Sequence, residues 1–250
     1  MSRRDCAAIT TLLAATLAYA LIVVKDFSGP LVGVDDINAL EHLGFMMEKK
    51  LEFGLVPHLR LVANQEMLYP FGTLVVFLPW GVERDLLYAL FHSRFGEGPW
   101  LQLYQVASVG ISSIGTYLLL RREEGPVRAL GVAFAGTFMN FYAVYKYPHH
   151  MNVSTMHWCI LSIVVDFLMF RRLVRGERWT LRLVLARIAF ALLLFGLDLG
   201  YVTGFGLLSL ATTWIAAAVL LARRRSVRGV LPEAPLAEAR AHPFAVATLG

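Results

Sequence analysis

The chain has 250 residues, 57% hydrophobic and only 16% charged, with a mean hydropathy of +0.59. A soluble domain of this size could not cover its surface with so few polar residues, so a lipid bilayer is the expected solvent. The net charge of +5 sits in short arginine clusters beside apolar runs, where it reads as a topology signal and argues against a nucleic-acid partner.

In chain order, Arg3 and Arg4 precede an apolar run over 6–24 that lacks a small-x-small cleavage site before Lys25, so it is read as a retained first helix rather than a signal peptide. Further apolar stretches follow over 100–120, 127–145, 153–170, 183–201 and 204–222, each near the length that a bilayer core requires. They predict an all-α polytopic bundle of about six transmembrane spans over residues 1–222. Every second connection is basic: Arg3 and Arg4, then Arg121, Arg122 and Arg128, then Arg171, Arg172, Arg175, Arg178 and Arg182, then Arg223, Arg224, Arg225 and Arg228. This alternation predicts a cytoplasmic N-terminus, in a membrane such as the bacterial inner membrane.

The loop over 25–98 carries ten acids against six lysines and arginines and is predicted to be extracytoplasmic, with amphipathic helices on the membrane surface. Within it Phe71 to Trp80 is apolar, but Glu83, Arg84 and Asp85 interrupt the run, so 68–91 is read as interfacial or re-entrant. Residues 223–250, with Pro232, Pro235 and Pro243, are expected to form a cytoplasmic tail or the start of a further region. Gly110, Gly115 and the series Gly196, Gly200, Gly204 are assigned to close helix packing. Cys6 and Cys159 lie far apart in apolar segments without CxxC spacing, which indicates neither a disulfide framework nor a zinc site.

Polar residues converge on the predicted external face. A helix starting near Asp35 would place Asp35, Asn38 and His42 on one side, with Ile37, Leu40, Leu43, Met47 and Leu51 as an apolar stripe. Taken alone, Asp35 or Asp36 simply caps that helix. The turn Tyr145-Lys146-Tyr147-Pro148-His149-His150-Met151-Asn152 adds two histidines and a lysine, whose plain role is interfacial anchoring among tyrosines. Asp166 and Asp198 fall inside apolar spans, and each requires a partner or a wet cavity.

Three stretches carry a resemblance: Gly33-Val34-Asp35-Asp36 after the first span, Asn64-Gln65-Glu66-Met67-Leu68-Tyr69-Pro70-Phe71-Gly72-Thr73 late in the loop, and His149-His150-Met151-Asn152 before the fourth span. Their order over residues 1–175 resembles the C-type (GT-C) superfamily of integral membrane glycosyltransferases. The resemblance implies a polyprenyl-phosphate sugar donor, with Asp35 or Asp36 as general base or as ligand to a divalent cation such as Mg or Mn. It also implies that Arg60, Lys146, His149 or His150 neutralises the leaving phosphate, and that Asn38, His42, Asn152 and Asp198 line the same cavity. The competing expectations are a non-catalytic scaffold or lipid-binding subunit and, through Asp166 and Asp198, a transporter.

Overall fold

The computed structural model describes residues 2–31, 44–45, 47–48, 51–52, 58–59, 81–177, 179–197 and 201–228. Helix α1 covers Arg3–Tyr19 and continues as a π-helical turn over Ala20–Val24. A two-residue antiparallel pairing, β1 (Leu51–Glu52) with β2 (His58–Leu59), is the sole departure from helix among the described elements. Then come α2 (Val82–Phe95), α3 (Trp100–Glu124), α4 (Pro126–Phe138), α5 (Phe141–Tyr145), α6 (Met151–Ser154), α7 (His157–Arg175), α8 (Leu181–Leu194) and α9 (Tyr201–Arg228).

Among the described residues three helices are long and apolar enough to cross a bilayer: Arg3–Val24, Trp100–Glu124 and Val202–Val219. The chain is therefore an integral membrane helical protein. The other expected spans differ in their helices. The stretch 127–145 is not one helix, because it breaks at Met139–Asn140, where the Asn140 side chain accepts from the Tyr142 amide at 2.9 Å and starts α5 instead. The stretch 153–170 becomes helical for good only at His157. Helix α8 has 14 residues, roughly 21 Å at 1.5 Å per residue, short of a bilayer core of about 30 Å.

Helix α3 is the central element, packing on α1, α2, α4 and α7. Gly125, at φ +79°, turns the chain sharply and Pro126 occupies the first turn of α4, so α3 and α4 run antiparallel and in close contact. Helix α7 then packs against α3, α8 and α9. A Cβ at Gly115 would lie 2.7 Å from Leu161 Cδ2, so a side chain there would have to displace the end of Leu161 at the α3–α7 approach. The expected glycine series fares differently: a Cβ at Gly204 would meet open space, Gly200 lies outside the described residues, and the close contact with α8 falls on Gly206, against Leu194.

The bundle has two distinct ends. At one, Arg121 pairs with Asp5 at 2.9 Å, Tyr117 donates to the same carboxylate at 2.8 Å, and Arg171 and Arg172 pair with Glu124 and Glu123. At the other, Tyr19, Val24, Tyr88, Leu101, Tyr104, Tyr147 and Met151 form a core cluster beneath the connecting segments. A second cluster around Leu12, Tyr117, Leu120, Ala133 and Leu168 fills the arginine end. Asp166, deep in α7, is paired with Arg187 of α8 at 2.7 Å. That is the partner which its position in an apolar helix demands.

Candidate functional site at the loop end of the bundle

Of the residues singled out from sequence, Asp35, Asp36, Asn38, His42, Arg60 and Asp198 lie outside the described residues. Lys146, His149 and His150 occupy the turn between α5 and α6, and both histidines are exposed. The His150 carbonyl accepts from the amides of Val153 and Ser154, so this residue shapes the turn that starts α6. Asn152 belongs to α6. The turn is tied into the bundle by a polar chain: the Tyr19 hydroxyl donates to the Ala143 carbonyl at 2.5 Å, Gln105 donates to Tyr19 Oη at 2.9 Å, and Ser154 donates to Gln105 Oε1 at 2.9 Å.

Beside this chain lies a more concentrated group that the sequence reading did not select. Glu83, in the first turn of α2, accepts from Trp158 Nε1 at 2.5 Å on one oxygen and faces His157 Nε2 at 2.9 Å on the other. The far side of the imidazole, Nδ1, lies 2.8 Å from Ser108 Oγ. Nε2–H can donate to the carboxylate while Nδ1 accepts from the serine hydroxyl in the neutral ring or donates to it in the charged one. Tyr104 completes the shell, standing edge-on to the imidazole with ring centroids 6.0 Å apart.

Four segments converge to build this group. The Glu83 amide donates to the Gly196 carbonyl at 2.7 Å, which fastens the start of α2 to the turn after α8. Gly196 has no side chain to displace Glu83, whose Cβ lies 3.4 Å from where a Cβ would stand. Acidic residues in the first turn also suit the helix dipole of α2. His157 is wholly buried, whereas the Glu83 side chain keeps 23% of its surface, so Glu83 is the more exposed member of the pair. Burial alone would raise the Glu83 carboxyl, but the hydrogen bond and charge from His157, with the Trp158 and Tyr104 donors, outweigh it and hold the group below its usual range.

The next two residues form a buried ion pair, Arg84 Nε to Asp85 Oδ1 at 2.8 Å. Burial pushes the Asp85 carboxyl up, with the Arg84 guanidinium opposing the shift. Among the described residues no group of three His, Cys, Asp or Glu side chains could hold a metal ion.

No protein-family model, curated protein or solved structure matches the chain.

Proposed function

We propose that the chain is a GT-C-like membrane transferase that works at the loop end of the bundle, passing a sugar from a polyprenyl-phosphate donor to an acceptor hydroxyl. In this reading the bundle crosses the membrane six times with its N-terminus in the cytoplasm of a bacterial cell, and the loop end faces the extracytoplasmic side. What supports it is the partly buried Glu83 carboxylate, held by His157 and Trp158 where α2, α3, α7 and the turn after α8 meet.

The chemistry needs a carboxylate there. As the acceptor oxygen bonds to the anomeric carbon, the bond from that carbon to the phosphate oxygen breaks, the phosphate leaves on its lipid, and the acceptor proton passes to a base. Glu83 takes that proton or orients the hydroxyl that loses it, beside Asp35 or Asp36 in the role given by the resemblance. Lys146, His149 and Arg60 supply positive charge for the leaving phosphate.

The deciding experiment compares Glu83→Gln, Asp35→Asn and Asp36→Asn in a transfer assay with polyprenyl-phosphate sugar, at matched membrane abundance. Loss of a general base lowers the rate by about 10²- to 10⁴-fold. Full activity in all three variants would reject these carboxylates as the base, and absence of transfer by the parent chain would reject the transferase reading.

A second reading, a non-catalytic scaffold, is favoured by one specific feature. Both Glu83 oxygens are already engaged, and the group lies below its usual range, which makes it a weak proton acceptor. Under that reading Glu83→Gln lowers the melting temperature, and no transfer activity is found in the parent chain.

A further inference from the structure

The arginine end of the bundle carries more positive charge than its own acids can pair. Asp5 is held by Arg121 and Tyr117, Glu123 and Glu124 by Arg172 and Arg171, and Glu177 lies 3.9 Å from Arg175. Every described acid at this end is thereby matched to an arginine. Arg3, Arg4, Arg122 and Arg128 are left over: all four are exposed, and none forms an ion pair among the described residues.

The fold brings these four to one corner. Arg3 and Arg4 open α1, Arg122 lies in the last turn of α3, and Arg128 lies in the first turn of α4. The Asp5–Arg121 pair fixes the start of α1 beside the end of α3, and Ala8 and Ala129 share one core cluster, which sets the start of α4 against α1. Gly125 and Pro126 hold the end of α3 next to the start of α4. Because α1 and α3 are spans that end at this corner, it lies at the level of the lipid headgroups. Exposed hydrocarbon continues along α1 at Leu13 and Leu17 and along α4 at Val132 and Phe134.

The residue type is specific as well. The chain's lysines are Lys25, Lys49, Lys50 and Lys146, and none falls in these segments, where every cation is an arginine. Orientation in a membrane asks only for positive charge, which lysine supplies equally. A guanidinium adds a planar fork that binds a phosphate through two parallel N–H donors. Nor do the helices themselves call for these cations, since Arg3, Arg4 and Arg128 stand in first turns, where the helix dipole disfavours positive charge. We propose that the α1–α3–α4 corner binds the phosphate of an anionic phospholipid, with Arg3, Arg4, Arg122 and Arg128 around the headgroup and the acyl chains along α1 and α4. A lipid is favoured over a soluble polyanion because charge and exposed hydrocarbon adjoin on the same helices. The corner shares no residue with the Glu83 group, so the inference is independent of the transferase reading.

The test uses the full chain in dodecyl maltoside, titrated with dioctanoyl phosphatidylglycerol, dioctanoyl phosphatidylcholine and a short single-stranded RNA, with bound lipid read by native mass spectrometry. Each arginine near an anionic lipid surface is worth roughly fivefold in binding, so saturable binding of phosphatidylglycerol at least about tenfold tighter than of phosphatidylcholine is expected. Arg122→Gln combined with Arg128→Gln should weaken phosphatidylglycerol at least about tenfold and leave phosphatidylcholine unchanged, while the melting temperature without lipid stays near that of the parent. The same double change at Arg175 and Arg182, exposed arginines of α7 and α8 at the same end, should alter binding by less than about twofold, because they lie outside the corner. Arg122→Lys with Arg128→Lys keeps the charge but loses both forks, and should weaken phosphatidylglycerol at least about threefold. Equal affinity for the two lipids, equal loss in the two glutamine pairs, undiminished binding by the lysine pair, or RNA binding as tight as that of phosphatidylglycerol would each overturn the proposal.

Discussion

At the residue scale, the group around Glu83 joins a carboxylate, an imidazole and a hydroxyl through contacts of 2.9 and 2.8 Å, and its energetics carry a definite pH signature. The Glu83 carboxyl is held below its ordinary value of 4.5. A depressed carboxyl contributes stability that is fully present above the unfolded value and is lost as pH falls through the folded one. The melting temperature of the parent chain in detergent should therefore exceed that of Glu83→Gln at neutral pH, and the difference should shrink once the pH drops below about 4.5. A difference that stays constant from neutral pH down to well below that value would show that the carboxylate charge contributes nothing. The residues of this group were only half legible in the sequence. Glu83 was visible as an interruption of an apolar run, but nothing local tied it to His157, because the hydrogen bond spans 74 positions. Arg187 was hidden differently: a single arginine in a long apolar stretch leaves the apolar pattern intact, and its pairing with Asp166 crosses between helices.

At the element scale, composition and periodicity predicted helices, and helices formed; where each one ends depended on single side chains. Asn140 stops a stretch that hydropathy alone would continue, by capping α5. Helix α3 carried an unused signal, since Gln102, Gln105, Ser108, Ser112 and Thr116 recur at helical spacing and are all buried. A buried polar stripe on a spanning helix marks the face that meets other polar groups, and here it leads to Tyr19, Ser154 and His157. Glycine counting discriminated less well, because spacing cannot tell a glycine under a neighbouring helix from one facing outward. The two kinds separate by mutation. Gly115→Val forces its side chain onto Leu161, where even a Cβ would stand at 2.7 Å, and should cost about 1–3 kcal/mol by overpacking. Adding Leu161→Ala should recover part of that loss, as expected for residues in direct contact. Gly204→Ala, with open space at its Cβ, should leave the melting temperature unchanged or raise it, by up to about 1 kcal/mol of stability. Equal losses at Gly115 and Gly204 would mean that the α3–α7 approach does not constrain the helices.

At the scale of the whole molecule, the arginine alternation and the packing make the same demand. Tyr19 reaches Ala143, and Glu83 reaches both His157 and Gly196, which gathers the end of α1, the start of α2, the α5–α7 connection and the turn after α8 at one end of the bundle. Asp5 with Arg121, and Glu123 and Glu124 with Arg172 and Arg171, gather the opposite ends of α1, α3 and α7. Between these ends α7 runs for 19 residues, roughly 28 Å at 1.5 Å per residue, comparable with a bilayer core. Among the described residues three helices meet the length and apolarity of a span on their own, so the crossing number is the point to test. If α1, α3 and α9 alone crossed, everything from Gly125 to Leu197 would lie on one side, and His149 and Glu177 would share a compartment. If the bundle crosses six times, they lie on opposite sides. In a background free of Cys6 and Cys159, an impermeant thiol reagent added to intact cells should label Ser28→Cys and His149→Cys but spare Glu177→Cys until the membrane is opened. All three positions are exposed and lie outside the helices, so differences in reactivity report the side of the membrane rather than burial. Protection of His149→Cys together with Glu177→Cys would reduce the count to three and leave the loop end divided between two compartments. The contacts from Glu83 to His157 and Gly196 could not then exist in the membrane, and both the Glu83 site and the proposed reaction would have to be abandoned.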